Sequence, residues 1–119
     1  MLFFSDTFDV DDVFKRDVFD ETPIMPTYLI AFIVSKFQSY SEYVGSSPDQ
    51  DPEYDVFSRR ETIDTAEYSY EVGPPLLQVL DDYTQIPYYT ELGIPKMHQV
   101  AIPDFSAGAM ENWGLVTYR

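Results

Sequence analysis

One stretch of the chain combines residue types that can do chemistry at close spacing: Pro103-Asp104-Phe105-Ser106-Ala107-Gly108-Ala109-Met110-Glu111-Asn112-Trp113-Gly114. Small residues flank a single carboxylate there, directly after a segment that reads as a strand. Gly108 and Ala109 allow a ligand to approach the backbone closely, so an extended peptide can pair with main-chain N–H and C=O groups as an added strand does. Glu111 can then meet a positive group. A free N-terminal ammonium is such a group, and a carboxylate accepting its hydrogens in a partly desolvated pocket makes a strong charge-assisted bond. The residues alone also fit a Gly-rich turn carrying an ordinary surface glutamate.

Most other catalytic constellations are excluded by inventory. The chain has one histidine, His98, and no Cys, so no His pair, H-E-x-x-H or cysteine set can hold zinc within these residues. G-x-S-x-G, P-loop and G-x-G-x-x-G patterns are absent, which removes acyl-serine and nucleotide chemistry. For the lone His98 a structural role is the expectation. Trp113 invites stacking, but packing beneath the motif is the simpler use.

The elements that must carry this stretch are mixed α and β. Pro23 and Pro26 disfavour helix before them and lead into Thr27 to Val34, apolar on both parities, which reads as a central strand buried on both faces. Ser39 to Glu53 reads as a loop with Gly45-Ser46-Ser47-Pro48 as its turn chemistry. Tyr54 to Arg59 reads as a short strand. Asp64 and Glu67 have capping-box spacing, and Ala66, Tyr70, Leu77 and Leu80 recur at helical intervals after it, so a helix should begin near Thr65. Gly73-Pro74-Pro75 should kink or restart it before it ends near Tyr83. Ile86 to Tyr89 and Gly93-Ile94-Pro95 read as loops, and Gln99 to Ile102 and Leu115 to Tyr118 as strands. Residues 1 to 22 interleave Phe with Asp, as in an exposed edge or an anchored loop, and receive no firm structure.

With 119 residues, one core is the ceiling, and 45% hydrophobic with 17% aromatic content argues for folding over disorder. Twenty-one acids against seven bases give a net charge of -14, which repels phosphate backbones and excludes nucleic acid as a natural partner. The longest apolar run, Tyr28 to Val34, falls far short of the roughly 20 residues of a membrane helix. The first residues lack a basic n-region and an apolar h-region, so no secretory signal is expected as the sequence stands.

Gly108-Ala109-Met110-Glu111-Asn112 resembles the G-A-M-E-N motif of the M1 family of zinc aminopeptidases. Lys96-Met97, Gln99 through Ser106 and Trp113 through Arg119 resemble its flanks, and Thr22-Pro23 with Tyr28 to Phe37 resembles the strand that ends the preceding domain. The likeness runs over about residues 17 to 119. It implies an α+β chain: the end of a saddle-like N-terminal β-domain over 1–36, then the start of a thermolysin-like peptidase domain over 37–119, both incomplete. It implies that Glu111 holds the α-amino group of peptides with a free N-terminus, with Gly108 and Ala109 on the peptide main chain, Ala107 beside the first side chain, and Met110 and Asn112 shaping the loop. Zn2+ would serve the full-length family member, its ligands, general base and oxyanion tyrosine lying past Arg119. No metal ligand or catalytic residue is expected within these residues, and the chain alone should be inactive. A non-catalytic peptide-binding or interaction protein of the same fold is the alternative. Family members are membrane-anchored extracellular or cytosolic. His98 stands where relatives commonly carry Asp, and the two prolines interrupt what they carry as a helix.

Overall fold

A computed structural model describes residues 3–11, 13–44 and 53–119. It is an α+β arrangement of two sheets. Strands β1 (Phe3–Asp9) and β2 (Lys15–Asp20) form an antiparallel hairpin. Its turn is set by the Asp11 carboxylate, which accepts the backbone N–H groups of Val13 and Phe14 at 2.8 and 2.9 Å. The first 22 residues, left without structure by their mixed pattern, are thus largely a hairpin, and the side chains of Lys15–Asp20 are all exposed.

Thr27 to Val34 is not a strand. Thr27–Leu29 forms a 3-10 turn and residues 30–34 carry no regular structure. The apolar run lacks a ladder partner and instead lies on the second sheet by one parity: Leu29 is buried, and Ala31 and Ile33 pack against Val100 and Leu115, while Phe32 and Val34 are 75% and 93% exposed. The expected loop from Ser39 also begins as structure, with β3 (Gln38–Ser39) running into α1 (Tyr40–Tyr43). Gly45-Ser46-Ser47-Pro48 lies outside the described residues.

The second sheet has the order β3-β4-β5-β7-β6, with β4 at Glu53–Ser58, β5 at Lys96–Ala101, β6 at Ala109–Met110 and β7 at Leu115–Tyr118. The pairs β4–β5 and β5–β7 are parallel, and both edges are antiparallel. Parallel neighbours need a crossover. Between β4 and β5 it is made by a 3-10 turn, Ile63–Ala66, then α2 (Glu67–Thr84) and the one-turn α3 (Tyr88–Glu91), where a plain loop was expected. Strand alternation divides the residues: Tyr54, Val56, Met97, Gln99, Val116 and Tyr118 share the α2 side, and Phe57, His98, Val100 and Leu115 face the 31–37 segment. Ile63 and Ala66 close the α2-side core with Tyr40, Tyr54 and Val56.

Helix α2 departs from its sequence reading in two respects. Its N-cap is Ala66, with no side-chain cap bond; the anchor is one turn earlier, where Thr65 donates its hydroxyl to the Thr62 carbonyl at 2.7 Å. The helix also runs unbroken through Pro74 and Pro75. Those prolines remove the donors for the Tyr70 and Glu71 carbonyls, but Pro74 and Pro75 are exposed, so water can satisfy that part of the helix. No helix among the described residues is long and apolar enough to cross a membrane.

Gly73 has a packing reason. A Cβ there would lie 1.8 Å from the Tyr54 hydroxyl and 2.2 Å from its ring carbon. The same hydroxyl donates to the Ser69 carbonyl at 3.1 Å, and burial pushes its pKa up to about 12. Gly73→Ala should therefore lower stability by about 1–2 kcal/mol, the overpacking cost exceeding the helix-propensity gain. Tyr54→Leu should absorb most of that loss, and additive unfolding midpoints in the double variant would contradict this packing.

Candidate functional site

Strand β6 is the carrier of the Gly108 to Asn112 motif. It pairs with β7 as Ala109↔Tyr118 and Met110↔Thr117, and forms one edge of the sheet. The Gly108 carbonyl accepts the Arg119 N–H at 3.1 Å. Because an antiparallel ladder alternates, Ala109 then turns its own N–H and C=O away from β7, toward the open edge. Continuing the register sets Glu111 opposite Val116, on the face of Gln99.

Glu111 is exposed at the rim of a cavity of about 660 Å³ between α2 and the sheet, whose walls include Leu76, Leu80, Met97, Gln99 and Val116. The motif's other residues separate by environment. Ala107, Gly108 and Ala109 are exposed, Met110 and Trp113 are half-buried, and Asn112 is buried. A Cβ on Gly108 would meet nothing within 4 Å. Asn112 donates its side-chain amide to the Tyr28 carbonyl at 3.4 Å, and its own carbonyl accepts the Leu115 N–H at 3.0 Å. That last bond closes a turn whose third residue, Gly114, has φ +73°, a conformation glycine adopts without strain.

Behind the motif, on the opposite face, lies a pair that sequence reasoning did not find. His98 is buried, its Nε2 is 2.6 Å from Glu53 Oε1, and Phe57 packs on its ring with centroids 4.9 Å apart. The hydrogen bond to His98 holds the Glu53 carboxyl below its ordinary value against partial burial, with the His98 and Lys96 charges adding to it. Burial lowers Lys96, and Glu53 offsets part of this. The Tyr88 hydroxyl, donating to the Lys96 carbonyl at 3.4 Å, is pushed up to about 12 by burial, against a hydrogen bond from the Gly114 backbone. The 45-residue separation of Glu53 and His98 leaves no local pattern that could announce the pair.

A second unforeseen feature is the buried Asp55. Its Oδ2 accepts the hydroxyls of Ser39 and Ser41, each at 2.5 Å, and its Oδ1 accepts the N–H groups of Val56 at 2.7 Å and Ser41 at 3.2 Å. Ser39 also caps α1 through Glu42 N–H. Every carboxylate oxygen is thereby occupied, which is what allows the charge to be buried. Among the described residues no three His, Asp or Glu side chains converge as a metal would require. The only imidazole is engaged by Glu53, so these residues do not fit a zinc centre.

Residues 68–119 match the sequence profile of the peptidase family M1 domain. Over 106 residues the chain is 44% identical to "Aminopeptidase N" of Plutella xylostella, covering 89% of this chain and 11% of that protein. It is 45% identical over 103 residues to "Membrane alanyl aminopeptidase" of Manduca sexta, covering 87% and 10%. It is 44% identical over 104 residues to "Endoplasmic reticulum aminopeptidase 1" of Homo sapiens, again covering 87% and 10%. The chain thus spans about a tenth of the length of the curated relatives it matches.

The depressed Glu53 fixes a pH dependence. A carboxyl that titrates lower when folded contributes stability above its unfolded value, here 4.5, and loses it as pH falls through the folded value. Thermal unfolding midpoints should therefore drop from pH 4.5 downward, and Glu53→Gln should show a shallower drop. Equal acid slopes in the two proteins would exclude the pair as a source of stability.

Proposed function

The chain belongs to peptidase family M1, and from that premise we propose that it supplies the part of a zinc aminopeptidase that recognises the free N-terminus of a peptide. The observation that carries this reading is the exposed Glu111 carboxylate one position beyond an open sheet edge, where Ala109 presents unpaired main-chain groups. A peptide laid along β6 gains ladder hydrogen bonds to Ala109, and its terminal ammonium arrives at Glu111. Gly108 leaves room for the approach. Ala107 stands beside the first side chain, while Met110 and Asn112 hold the loop in shape. An ammonium accepted by a carboxylate fixes where the peptide begins, so cleavage is measured one residue from its end.

The division of roles follows from the same premise. The β1–β2 hairpin and the segment to residue 36 are assigned to an N-terminal β-domain, and residues 37–119 to the first part of a thermolysin-like peptidase domain. In the whole protein a zinc ion would polarise the scissile carbonyl and activate water. The residues described here would bind and orient the peptide and would hold neither metal nor general base. The 119 residues alone should be inactive, and zinc-dependent release of p-nitroaniline from leucine p-nitroanilide by them would overturn that assignment.

Glu111 gives the direct test. In the full-length protein, with the metal chelated so that the peptide stays intact, trialanine should bind more tightly than N-acetyl-trialanine. Glu111→Gln should weaken trialanine binding about ten- to a hundredfold, the range of one charge-assisted hydrogen bond, and should leave the acetylated peptide unchanged. Equal losses for both peptides would show that Glu111 does not read the amine.

A further inference from the structure

We infer that the Glu53–His98 pair is a positioning element of the amine site, pinning strand β5 to β4 at the point from which the Glu111 turn is hung. The inference rests on the reading of Glu111 given above and adds residues on the opposite face of the sheet to it.

The motif is tied to the body of the sheet through β7, and β7 is tied through β5, where the shared ladder begins at His98↔Leu115. There the His98 N–H donates to the Gly114 carbonyl at 3.0 Å. Gly114 belongs to the turn closed by Leu115 N–H on the Asn112 carbonyl, and Glu111 is the residue before Asn112. On the other side, the His98 imidazole reaches Glu53 at 2.6 Å across the β4–β5 boundary. One residue therefore joins the rigid β4 side to the turn that aims the carboxylate: its side chain holds β4 and its main chain holds the turn. A site of this kind tolerates only about 0.5 Å of displacement.

The surroundings favour the pair over a free rotor. Phe57 covers the imidazole, and Ala31, Ile33 and Phe37 line the same cavity of about 320 Å³. The charged groups facing it are Glu53 and Asp55 on β4 and Lys96 on β5. Neither Leu115 and Thr117 on β7 nor the cavity-lining residues of the 31–37 segment bring another titratable group. Asp55, the register neighbour of His98, is already held by Ser39 and Ser41, which leaves Glu53 as the partner.

A charge swap at neutral pH tests this in the full-length protein, with the metal chelated and with trialanine and N-acetyl-trialanine as the probes. His98→Asp places a carboxylate against Glu53 and should cut the preference for the free amine about tenfold. Glu53→Ala should do the same, and remains informative if the first variant does not fold. Combining His98→Asp with Glu53→Lys restores an opposed pair and should return the preference to within about twofold of the parent. A purely structural role would lower melting temperatures without changing the ratio of the two affinities. Unchanged ratios in the folded single variants, or a well-folded swapped pair that fails to recover the ratio, would overturn the inference. If the parent itself showed no preference for the free amine, the Glu111 reading would fall and this inference with it.

Discussion

The structure depends on one constraint: β4, β5 and β7 pair in parallel. Parallel strands cannot be joined by a tight hairpin, so each connection must leave the sheet and return. The first crossover is α2, which covers one face. The second spans residues 102–114, and its length lets the chain pass the outside of β7 and lay down β6 before turning back. The motif is therefore at an edge because the strands on either side of it run the same way. Had β5 and β7 been antiparallel neighbours, a short turn would have sufficed, and β7 rather than the motif would have formed the edge.

Two buried ionisable groups show how the sheet holds charge. Asp55 is satisfied by hydroxyls and amides of neutral neighbours, so its burial needs no cation. His98 is satisfied by a partner that is itself about half exposed, so that pair keeps contact with water and responds to acid. The first arrangement locks β4 to the β3–α1 corner. The second ties β4 to β5 and, through the His98 main chain, to the turn after Glu111. Both draw on a β4 carboxylate, Asp55 in the first and Glu53 in the second, which makes this strand the reference against which the motif's turn is placed.

Legibility in the sequence followed the range of the forces involved. β4 was readable from alternation and β7 from its apolar run, whereas β5, read at Gln99 to Ile102, begins three residues earlier at Lys96, where Lys96 and His98 carry no apolar signal. The helix over 67–84 was readable from spacing, whereas its passage through Pro74 and Pro75 was not, since that depends on whether the orphaned carbonyls meet water. Tyr28 to Val34 misled for the same reason: apolar residues on both parities describe a strand with two covered faces, and this segment covers one and leaves the other bare. In the site, Glu111 and its small neighbours were legible as types. The β6 edge was not, because a two-residue strand has no period, and neither was His98 with Glu53, whose partnership is decided by the parallel register.

Glycine gives a sharper view of what this chain does not explain about itself. Gly73 is required by the Tyr54 ring, and Gly114 by a left-handed turn. Each has a cause inside the described residues. Gly108 has none: a Cβ there touches nothing, and its backbone is not in the left-handed region. Glycine in a strand-like stretch is otherwise a cost, since it loses more chain entropy than alanine and adds no packing. The open space beside Gly108 is what the proposed function uses, with a peptide main chain close to the backbone at the start of β6. The exposed carboxylate three residues on is where the proposed function places the amine of that peptide.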